Sequence, residues 1–194
     1  MSASPVRERK SIDIFWAEIA ACDHCVQIYD NDAVFLDALE RFVAAGLEQG
    51  EAIVLIATPS HLQRLSDQLS SSGFDLDEAM ARDQYIAIDA EAALASFMRD
   101  DWPEEVLFQK MVRGLLGRAR RNFKTVRAFG EMVAILWALG NRSATIRLEH
   151  LWARLCRSDD FSLFCAYPRA GFTQDAEQSM MDVHLAHSLV YNAA

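Results

Sequence analysis

The stretch from His24 to Pro59 spells out a strand, a helix and a second strand, and no other part of the chain restricts the fold as much. Cys25, Val26, Ile28 and Tyr29 form a β-favouring run, and Asp30, Asn31 and Asp32 behind it carry the turn and N-cap chemistry of a helix start. Next, Phe35, Leu36, Leu39, Phe42, Val43 and Leu47 recur at three- and four-residue steps, with Asp37, Glu40, Arg41 and Glu48 between them. One helix face is therefore buried and the other wet. Gly50 supplies a left-handed stop, and Ala52 to Ala57 is an unbroken apolar run, the pattern of a parallel strand covered on both faces. Nucleotide-binding domains of this βαβ layout place a glycine-rich phosphate loop between first strand and helix. Here that loop is Tyr29-Asp30-Asn31-Asp32, acidic and without glycine, so it cannot cradle phosphate in their way.

With 194 residues the chain has room for one domain with a sizeable core. No run of about 18 apolar residues spans a membrane, and the N-terminus has no apolar segment ahead of a small-residue cleavage site. We expect a soluble, cytoplasmic protein that makes no membrane contact. The four cysteines then read as reduced thiols rather than a disulfide framework. A net charge of -9 argues against nucleic acid as a partner, because phosphate contacts need a basic surface.

Along the chain, residues 1 to about 10 are polar and read as frayed, and Ile12, Phe15, Trp16 and Ile19 predict a short amphipathic helix, giving an N-terminal segment of 1–22. Pro59 opens a helix with Leu62, Leu65 and Leu69 on one edge, ended by Ser70 to Gly73. Residues 74 to 83 are an acidic connection with room for one helical turn, and Gln84 to Asp89 reads as a third strand. A helix over Glu91 to Met98 stops before Asp100-Asp101-Trp102-Pro103, and Pro103 is expected to open the helix Glu104 to Asn122. Val126 to Phe129 is a fourth strand, followed by helices over Met132 to Leu139 and Ala144 to Arg157 on either side of Gly140-Asn141. Phe161 to Tyr167 is a fifth strand, and a helix from about Thr173 to Tyr191 closes the chain. This alternation predicts an α/β three-layer sandwich: a mainly parallel sheet of about five strands flanked by helices, with a core over 23–170 and a helix over 171–194 in the same domain.

Several pieces, in order, resemble the MEDS family of prokaryotic sensory domains. They are His24-Cys25-Val26-Gln27-Ile28-Tyr29, Phe35-Leu36, Phe42 to Leu47, Gly50-Glu51-Ala52 and Ile56 to Pro59. Tyr85 with Asp89, Phe97-Met98 with Trp102-Pro103, Arg127 to Met132 with Trp137, Gly140-Asn141 and Leu148-Glu149 with Trp152 continue the series. Phe161-Ser162-Leu163, Cys165 to Pro168 and His187-Ser188 complete it over about residues 20 to 190. The resemblance implies a RecA-like fold without a P-loop and an input role, sensing small organic compounds that include simple hydrocarbon derivatives. Such domains usually sit in histidine kinases and transcription regulators. No kinase, PAS or helix-turn-helix segment is left over here, so we expect the output to pass to a separate signalling protein of that kind.

Ligands of open α/β sheets sit at the carboxyl ends of the strands. Tyr29, Asp32, Thr58, Asp89, Glu131 and Tyr167 occupy those ends and are expected to converge on a small organic ligand, although helix capping alone explains Asp32, Thr58 and Asp89. Glu131 lies between a buried strand and an apolar helix and must be paired, capped or protonated, with Arg127 four residues earlier on the same strand face. His24, Trp137 and Cys165 join the candidate lining, with a buried structural histidine and core packing as the plainer readings. Glu149 and Trp152 share a helix face and can supply one polar and one aromatic wall. Cys22, His24 and Cys25 are metal-capable but short of four ligands, and only the distant Cys165, His184 or His187 would complete a zinc set, so neither metal nor other cofactor is expected. The basic run Lys110 to Lys124 reads as a solvated face, or less simply as a docking surface. No nucleophile and base stand at a recognisable spacing, so we expect no enzyme. The alternative to a ligand sensor is an ATPase-like module that docks on a kinase or regulator without a ligand. A homodimer through the first or last helix is compatible with either.

Overall fold

The computed structural model describes residues 7–8, 16–172, 181, 183, 185 and 187–191. A two-residue strand β1 (Arg7–Glu8) and a one-turn 3-10 helix (Trp16–Glu18) precede the strand-helix-strand unit, which forms as β2 (His24–Tyr29), α1 (Asp32–Glu48) and β3 (Ala52–Ala57). The side-chain oxygen of Asn31 accepts the Val34 N–H at 3.1 Å and starts α1, and Gly50 at φ +71° turns the chain away after it. Phe35, Leu36, Leu39, Phe42 and Val43 are all buried, each contributing about 1.5–3 kcal/mol to the packing of α1 on the sheet.

Then come α2 (Pro59–Ser71), α3 (Leu76–Ala81), β4 (Tyr85–Asp89) and α4 (Ala90–Phe97). A small antiparallel hairpin, β5 (Met98–Arg99) with β6 (Trp102–Pro103), leads to α5 (Glu105–Ala119). The chain continues as β7 (Val126–Gly130), α6 (Met132–Ala138), α7 (Arg142–Asp159), β8 (Ser162–Pro168) and, after a 3-10 turn (Arg169–Gly171), β9 (Leu189–Tyr191). The sheet runs β1-β9-β2-β8-β7-β3-β4, and every neighbouring pair is parallel.

Strand alternation sends Cys25, Tyr29, Ile53, Leu55, Phe129 and Phe164 to one face, beneath Trp16, α1, α2 and α3. Val26, Ile28, Val54, Ala128, Leu163, Cys165 and Tyr167 point to the other, beneath α4, α5, α6 and α7. The three-layer α/β sandwich is therefore as expected. No helix among the described residues is long and apolar enough to cross a membrane.

Four local expectations are corrected. The sheet has seven strands, because β1 and β9 pair at the edge of β2 inside segments read as frayed and as helical. A helix cannot include both Val183 and Leu189–Tyr191, since the backbone of the latter bonds into the sheet; Met181, Val183 and Leu185 are helical, whereas the start of that helix at Thr173 lies outside the described residues. At the other end, Ile12 and Phe15 lie outside the described residues, and the helical turn at Trp16 has run out before Ile19. Finally, Pro103 pairs with Met98 in the hairpin instead of opening α5, and Glu104 is the cap, its carboxylate accepting the N–H groups of Val106 and Leu107. Trp102 in that hairpin is exposed.

Candidate functional site

Adjacent strands β7 and β3 send their following helices to opposite faces, α6 to one and α2 to the other. Their carboxyl ends form the switch point of the sheet, the crevice position where open α/β sheets receive ligands. Glu131, the residue after β7, fills it: its Oε2 accepts the Thr58 N–H at 2.8 Å, and its Oε1 lies 2.8 Å from His61 Nδ1. The Nε2 of His61 lies 3.7 Å from Asp32 Oδ2, which also accepts from Arg64 at 3.1 Å. The hydrogen bond to Glu131 is the main cause that raises the His61 imidazole above its ordinary value, against the opposing effect of burial. Beside it, Tyr29 stacks on Phe35 at 4.8 Å, and Phe35 meets the His61 ring edge-on at 5.1 Å. Burial first, then the carboxylates of Glu131 and Asp32, push the Tyr29 phenol up, so all three groups bear on one place. The crevice thus combines an aromatic wall with one carboxylate-imidazole pair.

A second polar cluster lies on the opposite face of the sheet, sealed beneath α7. Glu149, fully buried on α7, accepts from the Tyr167 hydroxyl through Oε1. Its Oε2 lies 3.5 Å from His24 Nε2, 3.3 Å from His187 Nε2 and 4.0 Å from Cys165 Sγ. His24 Nε2 is also 3.4 Å from Cys165 Sγ, and the two imidazole rings are 4.0 Å apart. Burial, followed by the Glu149 charge, holds both the Cys165 thiol and the Tyr167 phenol well above their ordinary values. Taken together, His24, Glu149, Cys165 and His187 are a metal-capable donor set, with donor atoms all within 4.8 Å of one another.

The candidates therefore divide between two places. Tyr29, Asp32, Thr58 and Glu131 meet in the crevice; His24, Cys165 and Tyr167 meet in the sealed cluster. Trp137 borders the latter, its ring 6.2 Å from that of Tyr167 and its N–H donated to the Gly171 carbonyl at 2.8 Å. Asp89 joins neither, and its carboxylate caps α4 by accepting the Glu91 N–H at 2.8 Å. Arg127 points into the first face near the other end of β7, bonded to Glu51 and, at 2.7 and 3.2 Å, to the carbonyls of Trp16 and Phe42. Its passage explains Gly46, where a Cβ would come within 2.9 Å of Arg127 Cδ and 2.6 Å of Ile53 Cδ1. Cys22 donates to Asp160 at 3.2 Å in a loop and Cys25 points away from His24, so neither adjoins the sealed cluster, and His184 lies outside the described residues. Sequence reading did not single out Arg64, and it reached His61 only as the end of the stretch Thr58 to His61 behind a strand. The signal for His61 was its place in the first turn after Thr58, at a strand carboxyl end. Within the basic run, Arg113, Arg118, Arg120 and Arg121 all bond acidic side chains or carbonyls of the same chain, as a solvated face does.

Residues 23–185 match the family model described as MEDS, the MEthanogen/methylotroph, DcmR Sensory domain. No curated protein matches the chain.

Proposed function

The chain belongs to the MEDS family of sensory domains, and from that premise we propose that it binds a small organic molecule in the crevice between β3 and β7 and passes the signal to a separate protein, without catalysis. The supporting observation is the pairing of an aromatic wall, Tyr29 and Phe35, with the Glu131-His61 pair at the switch point of the sheet. Such a lining suits a compound with a short hydrocarbon part and one amine or hydroxyl group that Glu131 accepts from. It has no glycine-rich loop for phosphate. Signalling follows from differential affinity. Glu131 immediately precedes α6, and α6 packs on α7, so a ligand that draws Glu131 away from Thr58 and His61 favours a different seating of both helices. The exposed side chains Leu139 and Leu185 offer a partner, such as a histidine kinase or transcription regulator, an apolar foothold near those helices.

Calorimetry and thermal shift against short alcohols, amines, organic acids and halocarbons test this reading. We expect saturable binding of at least one class, weakened about tenfold or more by Glu131→Gln, the loss of a charge-assisted hydrogen bond. A panel without binding, together with a stable protein partner recovered from the native cell, would instead support the ligand-free docking module.

A further inference from the structure

The sealed cluster is a separate matter from the crevice, and its geometry points to a zinc site: we propose that His24, Glu149, Cys165 and His187 coordinate one Zn2+ ion, which fastens the segment carrying His187 and β9 to the centre of the sheet. Two nitrogens, one carboxylate oxygen and one sulfur are donors that zinc accepts. In a tetrahedral site with bonds of about 2.0–2.3 Å, neighbouring donor atoms stand about 3.3–3.6 Å apart. Four of the six donor separations are 3.3, 3.4, 3.5 and 4.0 Å, and all six lie within 4.8 Å. Three edges already match that spacing, and the longer ones, none above 4.8 Å, close by contraction of the donors onto the ion.

The hydrogen-bond directions support the same conclusion. His187 Nδ1 lies 2.6 Å from the Val183 carbonyl oxygen, which can only accept, so Nδ1 carries the proton. That leaves Nε2, 3.3 Å from Glu149 Oε2, as the ring nitrogen turned towards the other donors and free to ligate a cation between them. Tyr167 donates to Glu149 Oε1, which orients the carboxylate and leaves Oε2, the oxygen nearest both histidines and the thiol, as the vertex of the site. Outer hydrogen bonds of these two kinds are how proteins orient metal ligands.

Charge and position complete the case. Glu149 is fully buried and, among the described residues, its ion-pair partners are histidines, with no lysine or arginine beside it. A Zn2+ ion with one carboxylate, one thiolate and two neutral imidazoles is net neutral, which a dry interior tolerates. Four protein donors leave no open position, the mark of a structural site. Next to His187, the Ser188 N–H donates to the His24 carbonyl at 2.9 Å and the His24 N–H donates to Ser188 Oγ at 2.8 Å, before β9 pairs with β2. The ion would therefore bridge β2, α7, β8 and the His187 segment at one point.

The test starts from full-length protein purified under reducing conditions, assayed for metal, then stripped with chelator and titrated with Co2+. We expect one equivalent of Co2+ to give tetrahedral ligand-field bands with a thiolate charge-transfer band, Zn2+ to displace it, and Zn2+ to raise the melting temperature. Cys165→Ser should abolish the charge-transfer band, while Cys25→Ser, which removes a buried thiol on the opposite face, should retain it. Tyr167→Phe should weaken zinc affinity by about 10- to 100-fold, as loss of an outer-shell bond does. Stripped, folded wild-type protein that gives no saturable Co2+ spectrum would overturn the proposal, as would a charge-transfer band that survives Cys165→Ser. Should Cys165→Ser fail to fold, the wild-type titration decides alone.

Discussion

Glu131 and Glu149 occupy opposite faces of one sheet, each carboxylate beside histidine, yet the protein treats them differently. Glu131 accepts from a backbone N–H and from His61, and the network continues through Asp32 to Arg64 at the surface. That network runs from a buried carboxylate to a guanidinium that is 47% exposed. Among the described residues Glu149 has no such outlet: its neighbours are a phenol, a thiol and two imidazoles, all buried. The same residue type is thus held by a network that reaches solvent on one face and by one that stays buried on the other, and on the reading proposed above only the first is suited to respond to a ligand.

The largest effect should come from the sealed side. With chelator present, Glu149→Ala is expected to destabilise the fold by about 3–5 kcal/mol in urea unfolding, because it strands several buried polar partners. A loss as small as that of a surface pair would collapse the contrast.

The crevice should respond to pH instead. His61 is raised from 6.5, chiefly by Glu131, so its charge-dependent contribution is fully present below that unfolded value and is lost as pH rises through the higher folded value. Ring-proton NMR should place its midpoint above 6.5, Glu131→Gln should lower it, and the stability gap between wild type and His61→Gln should narrow as pH rises from 6.5 upward. A midpoint that Glu131→Gln leaves in place would assign the shift to another cause.

The smallest effect belongs to the outer end of the crevice network. Arg64 and Asp32 are 47% and 54% exposed, so Arg64→Ala should cost only about 0.2–1 kcal/mol and the difference should fade at high salt. A larger, salt-independent loss would show that the network is less open than described.

Much of this was legible in the chain. The periodicity of Phe35 to Leu47, the apolar run Ala52 to Ala57 and the stop at Gly50 are local signals, and each produced the element it predicts. Tyr29, Asp32, Thr58 and Glu131 were findable because all follow strand carboxyl ends, and every such end of a parallel sheet lies on one side of the domain. Adjacency of His24 and Cys25 on a strand already implies that they point to opposite faces, which rules out a shared site. By contrast, the strand assignment of Leu189–Tyr191 was beyond local reading, since pairing with β2 supplies the hydrogen bonds that override an otherwise helical pattern.

By itself, then, the sequence determined which segments are strands and helices in the core and which polar residues stand at strand ends. The tertiary structure decided who faces whom. Register places Tyr167 opposite Ile28 and Pro168 opposite Tyr29, so Tyr29 and Tyr167, both at strand ends, point to different faces of the sheet. Partners 70 residues apart for His61 and Glu131, or on three separate elements for Glu149, meet only when crossovers close, because side-chain contact depends on register and helix placement that no local pattern encodes.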